Sequence, residues 1–239
     1  MKLTLGYLYP ELFNLYGDQG NIRCLEKRLQ WRGIEADVIP LAVGEWIDFG
    51  GLDLICWGGC SDREQELAAG YLREIRQDFR AFAEDGGVVL AVCAAYQLLG
   101  QYYETEHKRI EGLGILDIHT RWEQKRLVGN VVLESSLFSM PVVGFENHAG
   151  RTDSGSCMPL GRVVCGNGNN GRDGFEGVIW KNVLATYLHG PLLPRNPQVC
   201  DFLLERALSR KYGQGIVLEA LPDETEQRAN RFVSHNRRL

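Results

Sequence analysis

The chain has 239 residues, of which 44% are hydrophobic and 24% charged, a composition typical of a globular domain with a sizeable core. Its formal net charge of −5 does not favour binding to nucleic acid or to an acidic membrane surface, and no apolar run is long enough to span a bilayer. The seven cysteines include no Cys-x-x-Cys pair and no matching His/Cys pair, so we expect no metal site, free thiols and a reducing, cytoplasmic location.

The first half of the chain alternates predicted strands and helices. Apolar and alternating segments predict strands at 2–9, 35–41, 52–57 and 88–92, and the 3.6-residue period predicts helices at 22–32 and 63–84. This alternation is typical of a doubly wound α/β sheet with parallel strands. No linker-like stretch divides the chain, so the sequence predicts one domain over residues 1–239.

Cys93 follows a continuous apolar strand, Val88 to Val92, and precedes two alanines and a predicted helix that extends to about 103. A cysteine on such a tight strand-to-helix turn stands at the carboxyl edge of the sheet, as the nucleophile of a nucleophile elbow does. The helix N-terminus would favour the thiolate, and the Ala94 N–H would be one oxyanion donor. The alternative is an inert structural cysteine, because cysteine is among the most buried residue types.

The second half is richer in strands, predicted at 112–118, 127–133, 142–146, 160–164, 176–180 and 183–188, with a glycine- and asparagine-rich loop at 165–174. The last of these strands ends at His189, which Gly190 and Pro191 follow. On its own this histidine fits either a structural role or a functional one. A helix over 197–212 and a polar helix over 223–239 complete the prediction.

Cys93 and His189 are both predicted at carboxyl ends of strands, the edge at which α/β sheets place their sites. A third strand ends at Gly58 and Gly59, which fit either a tight turn or a close backbone approach to a ligand. A thiol with a neighbouring imidazole and backbone N–H donors predicts acyl transfer from an amide or ester through a thioester.

These motifs resemble the class I (triad-type) glutamine amidotransferases of the cobyric acid synthase-like branch, and within it the glutaminase subunits of lipid II isoglutaminyl synthases. The resemblance covers most of the chain, through residues 14–21, 58–62, 91–97, 144–152 and 187–191. The run Glu146-Asn147-His148 before Gly150-Arg151-Thr152 is its most discriminating part. A flavodoxin-like, mostly parallel sheet flanked by helices is the fold that the resemblance implies.

The resemblance also implies roles for individual residues. Cys93 would attack the carboxamide of glutamine, His189 would act as base and then as acid, and backbone N–H groups of Gly59 and Ala94 would stabilise the oxyanion. An arginine near 126 would hold the α-carboxylate, because a guanidinium binds a carboxylate bidentately. Arg121 and Arg126 both lie in that segment; we choose Arg126, whose alternative is a solvated surface arginine.

The implied partner is a Mur ligase-like subunit of the MurT type, in a heterodimer that amidates the D-glutamate of lipid II to D-isoglutamine. The chain has no P-loop motif, so we expect no cofactor here and place ATP and magnesium on the partner. The alternatives are a glutaminase for another synthetase, of the cobyrinate type, and a degenerate scaffold for a Mur ligase.

The third member of the catalytic triad is open. Relatives often carry a glutamate two residues after the histidine, where this chain has Pro191. The site is therefore either a Cys–His dyad, or another carboxylate orients His189, with Asp18 and Glu146 as candidates.

Overall fold

The structure is a computed structural model that describes residues 1–235. In this part of the chain one sheet contains eleven strands: Lys2–Leu8 (β1), Glu35–Leu41 (β2), Leu54–Trp57 (β3), Val88–Val92 (β4), Tyr102–Glu104 (β5), Arg109–Glu111 (β6), His119–Glu134 (β7), Val142–Asp153 (β8), Met158–Cys165 (β9), Phe175–Trp180 (β10) and Val183–Thr186 (β11). The helices are Gln19–Gln30 (α1), Asp62–Glu84 (α2), Ala94–Leu99 (α3), Pro197–Tyr212 (α4) and Glu224–His235 (α5).

Five neighbouring strands form the parallel core of the sheet, in the order β2-β1-β3-β4-β11. Every residue of β3, β4 and β11 is buried, as expected for strands covered on both faces. The helix after β3 begins with a capping box in which Ser61 and Glu64 bond each other's backbone N–H groups. The predicted flanked α/β sheet is confirmed, and its parallel strands bring three carboxyl ends to one edge.

Beyond β11 the sheet continues as antiparallel strands β10, β9 and β7, with β8 paired to β7. The loop at 165–174 returns to β8, where the Glu146 carboxylate accepts hydrogen bonds from the N–H groups of Asn167 and Gly168 at 2.7 and 2.9 Å. This half of the sheet places β8 beside the parallel core, because Phe145 and His189 exchange backbone hydrogen bonds.

Two predictions in the middle of the chain are wrong. The helix after Cys93 ends at Leu99 and not near 103, and Tyr102–Glu104 is a strand. The segment 112–118 is not a strand; its N–H groups at Leu113 and Ile115 bond the carbonyls of Leu98 and Leu99. The segment therefore satisfies the carbonyl groups that the end of a short helix leaves free.

Ion pairs join α4 and the segment before α5 to α1, which follows the first strand of the parallel core. The buried guanidinium of Arg28 on α1 binds Asp201 on α4 and Asp223 just before α5, both at 2.6 Å. The predicted helix at 197–212 is confirmed, and α5 occupies the described part of the predicted terminal helix, whose residues 236–239 lie outside the described residues. Between residues 1 and 235, none of the helices is both long and apolar enough to cross a membrane.

Candidate active site

Cys93 occupies the sharp turn between β4 and α3. Its backbone has φ 56° and ψ −105°, a conformation that residues other than glycine rarely adopt. The turn is held from both sides, because the Cys93 N–H donates to Thr186 O at 2.8 Å and the Cys93 carbonyl accepts from Gln97 N at 3.1 Å. Strain of this kind is found at functional sites, where surrounding structure maintains it. The geometry is that of a nucleophile elbow, and 9% of Cys93 is exposed.

His189 lies three residues beyond β11, the strand parallel to the one that leads to Cys93. Its backbone is fixed by β8, since its N–H donates to Phe145 O at 2.8 Å. Gly59 lies close to both side chains: a Cβ added at this residue would lie 2.9 Å from His189 Cε1 and 3.3 Å from Cys93 Cβ. Three strand ends that are distant in sequence therefore meet at one point.

A carboxylate lies beside Nδ1 of the His189 ring. Asp18 Oδ2 lies 3.8 Å from His189 Nδ1, and both side chains are almost fully buried. Burial of the ring disfavours protonation, but attraction to Cys93 and the contact with Asp18 outweigh it and raise the pKa of His189 to about 10. The site therefore favours an imidazolium beside the Cys93 sulfur, the arrangement that activates a cysteine nucleophile.

Glu146, the other candidate for the third member, belongs to a different cluster. Its carboxylate accepts hydrogen bonds from the 165–174 loop and lies 3.6 Å from His148 Nε2. Burial lowers the pKa of His148, whose ring stacks on Tyr187 at 3.6 Å. Of the two carboxylates that the sequence offers, the structure therefore brings Asp18 and not Glu146 to His189.

The two predicted oxyanion donors differ in availability. The Ala94 N–H begins α3 and has no hydrogen-bond partner within the described part of the chain. The Gly59 N–H is already taken, since it donates to Asp18 Oδ2 at 2.6 Å. The next N–H, of Cys60, has no such partner among residues 1–235 and belongs to a residue that lines the same cavity. Burial raises the pKa of the Cys60 thiol, which therefore stays protonated.

A cavity of about 240 Å³ opens above Cys93, and Arg126 lies at its mouth while Arg121 does not line it. A bulge in β7 explains this placement. Trp122 pairs with Gly150 and Leu127 with His148, so four residues of β7, 123–126, stand opposite the single residue Ala149. A bulge redirects a side chain that a regular strand would point elsewhere.

Several side chains at the cavity received no role from the sequence. Tyr16 places its ring 4.4 Å from the His189 ring, and Asn147 bonds both Tyr16 and Arg126. Deeper in the cavity, Gln65 Nε2 donates to Gln97 Oε1, and Gln97 Nε2 donates to Tyr187 Oη. All except Gln65 fall in the motifs that carry the family resemblance. Only their three-dimensional convergence shows what they contact.

Comparisons with known proteins agree with this geometry. Residues 4–197 match the family model of the CobB/CobQ-like glutamine amidotransferase domain. The chain is 44% identical, over 95% of its length and 91% of the relative, to subunit GatD of the glutamine-hydrolysing lipid II isoglutaminyl synthase of Staphylococcus aureus. It is 40% identical, over 95% and 88%, to the subunit of the same name from Streptococcus pneumoniae.

More distant matches support the same fold. A cobyric acid synthase of Listeria innocua is 30% identical over 66% of this chain, but the match covers only 32% of that synthase. A crystal structure of a glutamine amidotransferase superposes with a TM-score of 0.53 at 19% identity, covering 84% of this chain and 98% of the other.

Proposed function

The chain belongs to the CobB/CobQ-like glutamine amidotransferase family, and we propose that it is the glutamine-hydrolysing subunit of a lipid II isoglutaminyl synthase. The observation that carries the glutaminase chemistry is the placement of Cys93, on a strained elbow, beside the buried imidazole of His189. Identities of 44% and 40% across nearly the whole length of the two GatD relatives support the choice of acceptor.

The reaction begins when the Cys93 sulfur attacks the carboxamide carbon of L-glutamine. The carbonyl oxygen gains negative charge, which the N–H groups of Ala94 and Cys60 stabilise; Gly59 can contribute only if its bond to Asp18 breaks. His189 gives its proton to the departing nitrogen, so ammonia leaves and a glutamyl thioester remains on Cys93. His189 then takes a proton from water, which cleaves the thioester to glutamate and returns the thiolate.

Asp18 is the group that we assign to the support of His189 during this cycle. It is too far from the ring for a hydrogen bond at 3.8 Å, and it acts through its charge in a buried site. Arg126 is assigned to the α-carboxylate of glutamine, since its guanidinium stands at the cavity mouth and can bind a carboxylate bidentately.

The ammonia serves a second subunit, for which we propose a Mur ligase-like chain of the MurT type in a heterodimer with this one. That partner would bind ATP and magnesium and activate the D-glutamate carboxylate of lipid II for amidation. We assign the whole chain, 1–239, to one amidotransferase domain, supported by the ion pairs that join α1 to α4 and to Asp223. A cytoplasmic location is supported by the seven cysteines, none of which forms a disulfide.

The alternatives have less support. The cobyric acid synthase relative is about three times as long as its matching part, so a cobyrinate-type enzyme would need further domains. A degenerate scaffold would have no need for a strained Cys93 or for a His189 whose pKa is raised to about 10.

The test is release of glutamate from L-glutamine by the protein with and without a co-expressed Mur ligase-like partner. We expect Cys93→Ser to abolish release, and Cys24→Ser, a half-buried thiol of α1 outside the cavity, to preserve it. With the partner, free ammonium should restore lipid II amidation to the Cys93→Ser complex. Retained glutamate release in Cys93→Ser would refute the nucleophile, and failure of ammonium rescue in an intact complex would refute ammonia supply.

A further inference from the structure

Asn147 joins three separate parts of the chain at the mouth of the cavity. Its Oδ1 accepts a hydrogen bond from Arg126 Nε at 2.8 Å, and its backbone carbonyl accepts one from Arg126 Nη2 at 2.8 Å. Its Nδ2 donates to Tyr16 Oη at 2.7 Å. Because Arg126 supplies only donors, the amide oxygen must face Arg126 and the amide nitrogen must face Tyr16. One side chain therefore links the β7 bulge, β8 and the loop before α1.

These contacts orient the Arg126 guanidinium without neutralising it. Within residues 1–235 no carboxylate lies within 4.0 Å of Arg126, whereas Arg151 and Arg172, in the same region, both pair with Glu123. The bulge that carries Arg126 is itself fixed, since Arg151 bonds the carbonyls of Lys125 and Ala149. A cation held by neutral oxygens at a cavity mouth keeps its charge for an anionic ligand group.

The same amide also fixes the cover of the catalytic histidine. Tyr16 is 39% exposed, and its ring lies 4.4 Å from the His189 ring, between that ring and solvent. The adjacent backbone is tied to the Gly-Gly turn, because the Leu15 N–H donates to Gly59 O at 3.0 Å. The hydrogen bond from Asn147 to the Tyr16 hydroxyl holds the Tyr16 ring in this position.

We infer that Asn147 is a positioning residue for substrate binding: it aims the uncompensated charge of Arg126 at the α-carboxylate of the substrate and couples that charge to the Tyr16 cover over His189. This inference rests on the proposed function, because it takes glutamine as the ligand. It assigns to Asn147 a part in recognition of the α-carboxylate and none in bond breaking.

The test compares two alkylating reagents that differ in the group Arg126 would recognise. 6-Diazo-5-oxo-L-norleucine is a glutamine analogue that carries the α-carboxylate; its diazo carbon takes up a proton and then alkylates a thiolate with loss of dinitrogen. Iodoacetamide alkylates the same thiolate with loss of iodide but has no carboxylate. Labelling of Cys93 by each reagent is followed by mass spectrometry of the Cys93-containing peptide after digestion, because the chain has six other cysteines. Asn147→Asp keeps the shape and the acceptor but adds a negative charge beside Arg126.

We expect Asn147→Asp and Asn147→Ala to slow labelling by the norleucine reagent about 10- to 100-fold, for different reasons. Asn147→Ala removes a hydrogen bond to the charged Arg126, whereas Asn147→Asp neutralises the charge of Arg126 and removes the donor to Tyr16. Iodoacetamide labelling should stay within about twofold of the wild type. Asn130→Asp, which makes the same change on β7 outside this cavity, should alter neither rate. Tyr16→Phe, which removes only the hydroxyl, should slow the norleucine reagent less than Asn147→Ala does.

Two results would overturn the inference: equal slowing of both reagents in the Asn147 variants, which is what a general structural role produces, or no slowing of either. The proposed function is judged separately, on the wild type. If wild-type labelling by the norleucine reagent is not saturable, glutamine is not the ligand, and the proposed function and this inference both fail. If it is saturable and the Asn147 variants match the wild type, the inference alone fails.

Discussion

Replacement of Asp18 by asparagine tests whether a buried carboxylate 3.8 Å from His189 Nδ1 maintains the imidazolium. Asparagine has the same shape and can still accept the Gly59 N–H that Asp18 binds at 2.6 Å, so the local backbone should persist. Its new amide nitrogen would replace Oδ1, which has no hydrogen-bond partner among the described residues. The substitution therefore removes a charge and little else.

The size of the effect follows from the distance. Two unit charges about 4 Å apart interact with about 4 kcal/mol at an effective dielectric constant of about 20, equivalent to about three pKa units as an upper bound. Attraction to Cys93 also stabilises the protonated His189 ring, and this attraction is the larger contribution to the raised pKa of His189. We therefore expect Asp18→Asn to lower the pKa of His189 by about one to two units from its value of about 10.

The assay is the pH dependence of kcat/KM for glutamate release. Activity needs the protonated imidazole, so the alkaline limb of the profile should move to lower pH by the same one to two units. The control is Glu146→Gln, which removes a buried carboxylate that faces His148 and should leave that limb in place. An unmoved limb in Asp18→Asn, or an equal shift in Glu146→Gln, would refute the assignment of Asp18.

The same pair of groups makes a prediction for stability. Because the pKa of His189 is raised above its ordinary value of 6.5, its contribution to the free energy of unfolding is complete below about pH 6.5 and is lost as the pH rises through about 10. The difference in Tm between the wild type and Asp18→Asn should therefore narrow as the pH approaches and passes 10. A constant difference across that range would contradict the coupling.

Three further outcomes are expected. Gly59→Ala should reduce kcat/KM by about 100-fold with the fold intact by circular dichroism, since its Cβ would lie 2.9 Å from His189 Cε1 and displaced catalytic groups lose about that factor. Burial raises the pKa of Glu176 to about 8, so the wild type should lose stability between about pH 5 and 8, and Glu176→Gln should flatten that decline in urea titrations. Arg28→Ala should lower the free energy of unfolding by about 3 kcal/mol, because it leaves Asp223 without its buried cation, whereas Asp201 keeps its ion pair with Arg32.

The sequence predicts best where local pattern and tertiary environment agree. The apolar run 88–92 is a strand because it is buried on both faces, and the helix at 197–212 has the predicted bounds, with Pro197 at its first position. The prediction fails at 112–118, where alternating glycines and aliphatic residues indicated a strand. There the decisive partner is the end of α3, whose free carbonyls accept hydrogen bonds from Leu113 and Ile115. The local sequence pattern of 112–118 does not indicate that its N–H groups will bond the carbonyl groups at the end of α3.

The sequence was enough to predict the two central residues of the site but not the residues around them. Spacing and residue type indicated Cys93 and His189, because each follows an apolar strand. The choice between Asp18 and Glu146 depended on which way two side chains point, and the choice of Arg126 depended on a four-residue bulge in β7. A one-residue change in register reverses the face on which a side chain lies, so these assignments depend on the three-dimensional structure.

The glycine pair at 58 and 59 shows how structure separates two explanations that the sequence leaves open, of which the tight turn is the more common. A tight turn would require glycine for a positive φ, yet neither residue is among those with positive φ in the described part of the chain. A Cβ at Gly58 would instead lie 2.5 Å from Phe13 O, and one at Gly59 would meet His189 and Cys93. The pair is needed for close approach. Because neither residue has a side chain, Asp18 can lie against both glycines, and His189 and Cys93 can both lie against Gly59. The absence of two side chains, rather than the shape of the turn, is what allows nucleophile, imidazole and carboxylate to meet.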